Sequence, residues 1–180
     1  MMRPIHLRVL VVDDDEEDFL ILRDLLADFP AGQFTLDWVP TLKQGIEALR
    51  AASYDVYLVD YLLGPDNGLD LVRLAVAEGS AHRPVIMLTG QGNDEVDREA
   101  LDAGAADYLI KGNIDGEKLA RSLRYAAERT RQMAEIEDGK RRYRQLFELN
   151  PYPTWVFALD DLSLLAVNDA MVSTYGYARE

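Results

Sequence analysis

Short apolar runs alternate with longer amphipathic stretches from Val9 to Ala126, and that alternation leaves few folds open. The runs are Val9–Val12, Phe34–Val39, Val56–Val59, Val85–Leu88 and Tyr108–Ile110. Short and rich in Val, Ile, Leu and Tyr, they read as buried strands. Between them, Phe19, Leu22, Leu26 and Phe29 recur at spacings of three and four, as do Leu42, Ile46 and Leu49, and then Leu69, Val72 and Val76. Each set marks a helix with one apolar stripe. Pro30 and Gly79 end two of these helices, Pro84 opens the fourth strand, and Asn93–Ala103 is a weaker helix with Val96, Ala100 and Leu101 as its apolar material. Strand and helix in strict alternation imply an α/β fold: a five-stranded parallel sheet, helices on both faces, right-handed crossovers. In such sheets chemistry gathers beyond the carboxyl ends of the strands.

From Asp115 the helical pattern continues past the point where such a domain should close. Leu119, Leu123, Ala126, Thr130 and Met133 keep a four-three spacing, with charged residues filling many of the positions between. An extended seam of this kind has the pattern of a coiled coil, through which two copies of the chain would pair. The same helix packed on its own domain is the alternative. Gly139 interrupts the run before Tyr143, Leu146 and Phe147 resume it, and Pro151 and Pro153 end it. Trp155–Leu159 and Leu164–Val167 then read as strands about an Asp160–Asp161 turn, followed by a short helix, Asp169–Tyr175. So short a segment cannot bury a core of its own. The expected organisation is an α/β domain over residues 1–118, a helical connector over 119–149, and the opening of a second domain over 150–180.

Charge and composition narrow the function. The chain holds 32 acidic and 19 basic residues, a net charge of −13. Residues 1–117 carry −14, 118–150 carry +4 and 151–180 carry −3. A field of that sign repels phosphate backbones, so no direct nucleic-acid binding is expected. The absence of cysteine excludes a thiolate metal site and a cysteine nucleophile. No apolar run approaches the ~20 residues that span a bilayer, and the N-terminus lacks signal-peptide structure, so a cytoplasmic protein with no membrane partner is expected. His6 and His82 have no metal-ligand spacing and read as surface residues.

Chemistry-bearing residues stand where the predicted strands end. Strand one ends in Asp13 and Asp14, strand three in Asp60, strand four in Thr89 and strand five in Lys111. In a parallel sheet these ends share one edge, so three carboxylates, a hydroxyl and an ammonium converge. Two unit charges 4 Å apart at an effective dielectric near 20 repel by roughly 4 kcal/mol. A hard divalent cation, Mg²⁺ or Mn²⁺, would offset that repulsion. Lys111 and Thr89 suit phosphoryl oxygens, and the set reads as a site for one phosphoryl group with an Asp as acceptor. Asp15 to Asp18 read instead as an acidic helix start.

The segments LRVLVVDDD, YDVYLVDYLLGPDNG, PVIMLTG and GAADYLIKG, in that order, resemble the receiver domain of two-component response regulators over residues 7–130. The resemblance implies a flavodoxin-like fold and no enzyme activity beyond self-dephosphorylation. It implies that Asp60 accepts a phosphoryl group from a histidine kinase or a phosphotransfer protein. Asp13 and Asp14 would hold Mg²⁺ with Asp60 and the backbone carbonyl of Leu62. Lys111 would pair with the phosphoryl group, Thr89 would move toward it, and Tyr108 would rotate inward as the switch aromatic. The fifth helix, running on into the connector, would transmit the change. Leu62 and Gln91 would tune self-dephosphorylation, since Gln91 can orient a water and Leu62 cannot. Two positions depart from the family pattern: Gly64 stands where a proline is usual, and Gly112 follows Lys111 in place of another.

Other readings fit less of the sequence. Asp13-x-Asp15 with Thr89 and Lys111 mimics haloacid-dehalogenase phosphatases, with Asp13 as nucleophile, but Glu17 stands where that family has Thr or Val, and its late acidic pair is missing. A degenerate receiver serving as a dimerisation scaffold has no need of Asp60, Thr89 and Lys111 together. Residues 141–180 resemble the opening of a PAS sensor domain, through the Phe-x-x-x-Pro-x-Pro-x-x-Val-Phe pattern and the Val-Asn-x-Ala…Tyr-Gly-Tyr stretch. That resemblance implies a longer signalling protein with an output module further on.

Overall fold

A computed structural model describes residues 6–30, 32–78, 83–90 and 94–176. Gly79, His82, Gln91 and Asn93 lie outside the described residues. In chain order the elements are β1 (Leu7–Val12), α1 (Glu16–Leu25), β2 (Phe34–Val39), α2 (Leu42–Ala51), β3 (Val56–Asp60), β4 (Leu62–Leu63), β5 (Asp66–Asn67), α3 (Leu69–Ala77), β6 (Val85–Thr89), α4 (Asp94–Asp102), β7 (Asp107–Ile110), α5 (Gly116–Glu148), β8 (Trp155–Phe157), β9 (Leu164–Val167) and α6 (Asp169–Tyr175). The chain divides into two compact units, Met1–Met133 and Ala134–Glu180, and the division falls within α5.

In the first unit β2, β1, β3, β6 and β7 form a parallel sheet in that order. Strand residues alternate between two buried clusters because successive side chains leave a strand on opposite faces. Val9, Val11, Leu58, Ile86 and Leu88 pack with Leu22 of α1 and Leu119, Leu123 and Ala126 of α5. Leu10, Val12, Tyr57, Val59 and Met87 pack with Leu49 of α2, Leu71 and Val72 of α3 and Ala100 of α4. Each buried Leu, Val or Ile contributes about 1.5–3 kcal/mol by leaving water.

Three expectations for the helices are corrected. The first helix ends at Leu25 rather than reaching Phe29. Leu26 and Phe29 still join the core, but through tight turns in which the N–H groups of Leu26, Ala27 and Phe29 bond three residues back. Gly139 does not interrupt α5, which is continuous from Gly116 to Glu148; one Gly costs about 1 kcal/mol in a helix and does not break it. The seam is read differently too. Leu119, Leu123 and Ala126 are buried at 6% exposure or less against the sheet of their own domain, so this part of α5 follows the alternative reading.

In the second unit β8 and β9 pair antiparallel, with α6 following where the sequence placed it. The first strand stops at Phe157, two residues short of the expected Leu159. Among the described residues no helix is long and apolar enough to cross a membrane.

Candidate functional site

The strand order reverses direction between β1 and β3, so the connections after these strands leave on opposite faces and open a crevice at the carboxyl edge. Asp13 follows β1, Asp60 ends β3, Thr89 ends β6 beside it, and Lys111 follows β7. Carboxylate oxygens of Asp13, Asp14 and Asp60 lie within 4.8 Å of one another. Asp13 is fully buried, Asp60 leaves 8% of its surface open, and Asp14 is exposed.

Lys111 reaches into this cluster. Its Nζ lies 2.8 Å from Asp60 Oδ2 and 2.6 Å from Asp18 Oδ2, donating a hydrogen bond to each. It also lies 2.8 Å from Asp13 Oδ2, an ion pair without the angle of a hydrogen bond, so that oxygen accepts none. Asp13 Oδ1 accepts the Asp15 N–H at 3.0 Å, and the Asp13 carbonyl accepts Trp38 Nε1–H at 2.7 Å. Burial raises the pKa of Asp13 above the ordinary 3.8, against the lowering by Lys111 and the Asp15 N–H. Burial likewise raises Asp60, against Lys111 and the N–H groups of Leu62 and Tyr61. Burial works to lower Lys111, but the carboxylates of Asp13, Asp18 and Asp60 outweigh it and hold the ammonium charged well above its usual range.

The loop after β3 is closed on itself. Leu62 pairs with Asn67 and Leu63 with Asp66, and Gly68 N–H donates to the Tyr61 carbonyl at 3.0 Å. Gly64 turns this hairpin at φ +57°, a conformation proline cannot adopt, and Pro65 takes the next position. The departure from the family's usual proline therefore has a local cause. Gly68 is required for a different reason: a Cβ there would sit 2.0 Å from the Asp60 carbonyl oxygen. Asn67 Oδ1 then accepts the Leu69 N–H at 2.9 Å, starting α3 in place of a capping side chain on Gly68.

Asp13, Asp14, Asp60 and Lys111 thus come together as the strand ends implied. Thr89 is 2% exposed, and its Oγ1 has no hydrogen-bond partner among the described residues. Tyr108 is half-buried on β7 against the cluster of Leu10 and Met87. Leu62 is exposed, and its N–H rather than its side chain serves Asp60. The expected role of Gln91 falls outside the described residues. The reading of Asp15 to Asp18 as an acidic helix start holds: Asp15 Oδ1 caps α1 by accepting the Glu17 N–H at 2.8 Å, and Glu16, Glu17 and Asp18 fill the first turn. It misses the second task of Asp18, its contact with Lys111. The signal was available, because helical side chains lean toward the helix N-terminus, which for α1 lies at the site edge.

The acidic pocket fits a hard cation: its donors are all carboxylate oxygens, and one of them, Asp13 Oδ2, is buried without a hydrogen bond. Comparison with known proteins gives the same picture for the domain. The model of the response regulator receiver domain matches residues 9–124. Response regulator RppA of Synechocystis is 34% identical over 117 residues, covering 64% of this chain and 48% of the relative. Sensory/regulatory protein RpfC of Xanthomonas campestris is 34% identical over 131 residues, covering 71% of this chain and 18% of that much longer protein. The response regulator domain of Thermotoga maritima CheB superposes with a TM-score of 0.58 at 24% identity, covering 68% of this chain and 96% of that one. The chain spans about half the length of the first curated relatives it matches. With a flavodoxin-like sheet and the acidic pocket at its carboxyl edge, the chain belongs to the response regulator receiver domain family of two-component signalling.

Proposed function

We propose that the chain takes a phosphoryl group on Asp60 from a phosphohistidine of a partner kinase or phosphotransfer protein. The observation that carries this is a nearly buried acceptor joined to Lys111 at 2.8 Å, with Asp13 Oδ2 held by the same ammonium and Thr89 Oγ1 without a hydrogen-bond partner among the described residues. In the transfer the P–N bond to the donor histidine breaks, its electron pair stays on the imidazole, and Asp60 Oδ forms the new P–O bond. Lys111 neutralises charge on the phosphoryl oxygens, and Thr89 donates its hydroxyl to one of them. Asp13, Asp14 and Asp60, with the Leu62 carbonyl, would hold Mg²⁺ or Mn²⁺, which supplies charge compensation for the phosphoryl group. Receiver domains generally bind Mg²⁺ at such an acidic pocket.

Phosphorylation of Asp60 would draw Thr89 inward and let Tyr108 follow, altering the surface of α4, β7 and α5. Residues 1–118 form the receiver in this reading, 119–149 the helical connector and 150–180 the start of a PAS domain. Self-association would run through α5, where Tyr125, Met133 and Ile136 are exposed while Leu123 is committed to the core. Asp13 as a phosphatase nucleophile fits poorly, being fully buried with Oδ1 already engaged.

The test is intact mass after incubation with Mg²⁺ and a small acyl phosphate, wild type beside Asp60→Asn. One phosphoryl adduct on wild type alone, lost when Mg²⁺ is chelated, supports the reading. No adduct on wild type, together with no binding of beryllofluoride, overturns it in favour of a dimerisation scaffold.

A further inference from the structure

We infer that Asp18 is a positioning residue that holds Lys111 and withholds part of its charge from the incoming phosphoryl group, acting as a brake on phosphorylation of Asp60. The inference rests on the phosphoacceptor reading above. The Lys111–Asp18 contact, at 2.6 Å, is the shortest of the three that Lys111 makes with carboxylates. Asp18 stands apart from the other two. Asp13 and Asp60 belong to the group of oxygens within 4.8 Å that fits a cation, and Asp18 does not. When the phosphoryl group joins Asp60, the attacking oxygen becomes the bridging oxygen of an acyl phosphate and the carboxylate loses its charge. Asp13 and Asp14 are meanwhile suited to a cation. Asp18 alone keeps its full charge on Lys111 throughout.

An ammonium has three N–H donors, so Lys111 can serve Asp18 and a phosphoryl oxygen together. It cannot give its whole charge to both. Asp18 is also fixed in place: Asp15 caps the same turn, and the acids Glu16, Glu17 and Asp18 all sit favourably at the positive end of α1. The simpler role, an acid that only stabilises a helix start, would apply equally to Glu17. Glu17 is exposed, is not one of the three carboxylates at Lys111, and serves as the control for that role.

The experiment measures the rate of adduct formation by intact mass on the full chain, with saturating Mg²⁺ and a small acyl phosphate as donor. The donor P–O bond breaks with its electron pair leaving on the donor carboxylate. Asp18→Asn should accelerate the reaction by about five- to tenfold, the scale of one unit charge at contact distance in a well-solvated site. Asp18→Glu, which keeps the charge, should react within about twofold of wild type, and Glu17→Gln should match wild type. An unchanged or slower Asp18→Asn overturns the inference, as does an equal gain from Glu17→Gln, which would assign the effect to general charge. An adduct on wild type with unchanged Asp18→Asn sinks this inference alone. No adduct on wild type sinks the phosphoacceptor reading with it.

Discussion

The two units each bury a polar centre, and the two centres are built in opposite ways. In Ala134–Glu180, Asn168 is fully buried. Its Nδ2 donates to the carbonyls of Asn150 at 3.0 Å and Tyr152 at 2.9 Å, and its Oδ1 accepts the N–H groups of Thr154 at 2.9 Å and Met171 at 3.0 Å. A side-chain amide has two donors and two principal acceptor sites, so nothing is left over. In Met1–Met133, Asp13 is as deeply buried, yet its Oδ2 is held only by the ion pair to Lys111 at 2.8 Å, and Thr89 Oγ1 makes no hydrogen bond among the described residues. A satisfied centre fastens one chain segment to another. An unsatisfied one costs stability until something binds, which is the mark of a site.

The largest effect should come from breaking the satisfied centre. Asn168→Ala removes four hydrogen bonds and leaves the Asn150 carbonyl and the Thr154 N–H without another partner, whereas the Tyr152 carbonyl keeps Thr154 Oγ1–H and the Met171 N–H keeps the Asn168 carbonyl, and it should destabilise the second unit by about 4 kcal/mol. Amide hydrogen exchange over residues 150–171 would show the loss, and unchanged protection there would end the contrast. Next is Gly68→Ala, whose Cβ would meet the Asp60 carbonyl oxygen at 2.0 Å. Backbone cannot yield as a side-chain tip can, so a cost of about 3 kcal/mol is expected, together with loss of the phosphoryl adduct. A thermal melt and an intact mass read both. Third, Mg²⁺ at a hundredfold over its Kd should add about 2.7 kcal/mol to the first unit, with exchange around Asn168 unmoved. Equal protection of both units by Mg²⁺ would place the cation elsewhere.

Sequence alone reached the frame of the first unit because its signals are local and repeated. Four of the five strand runs end where a candidate site residue begins, and parallel topology turns that coincidence into a cluster without further information. What it missed depends on contacts across the fold. Leu123 carries the same spacing whether α5 packs on a sheet or on a second helix, and only the tertiary partner decides. The two-residue strands of the 62–67 hairpin are too short to leave a periodic signal. Gly68 reads as a turn residue until the Asp60 carbonyl is seen against it. Asp18 hides in an acidic run in which neighbouring acids have different tasks: Asp15 caps, Glu16 and Glu17 suit the helix end, and Asp18 reaches Lys111.

The smallest effect is the sharpest in sign. In metal-free buffer Asp13→Asn should stabilise the first unit by about 1 kcal/mol, whereas removing Asn168 destabilises the second. Repulsion among the three carboxylates is the cause that the strand-end pattern suggests. In the structure the leading cause is burial, with Asp60 the least of the contributions to Asp13. The pH dependence follows from the direction of that shift. A carboxyl whose folded pKa lies above its unfolded value of 3.8 carries no penalty below 3.8 and a growing one as pH rises through the folded pKa. The advantage of Asp13→Asn should therefore grow as pH rises toward 7 and vanish toward pH 4. Paired melting curves across that range decide the matter: an advantage that is constant, or that grows as the pH falls, would mean that Lys111 rather than burial governs Asp13. Adding Mg²⁺ should reverse the order at pH 7, because wild type alone then gains a ligand for Asp13 Oδ2, while the asparagine has lost the charge that holds the cation.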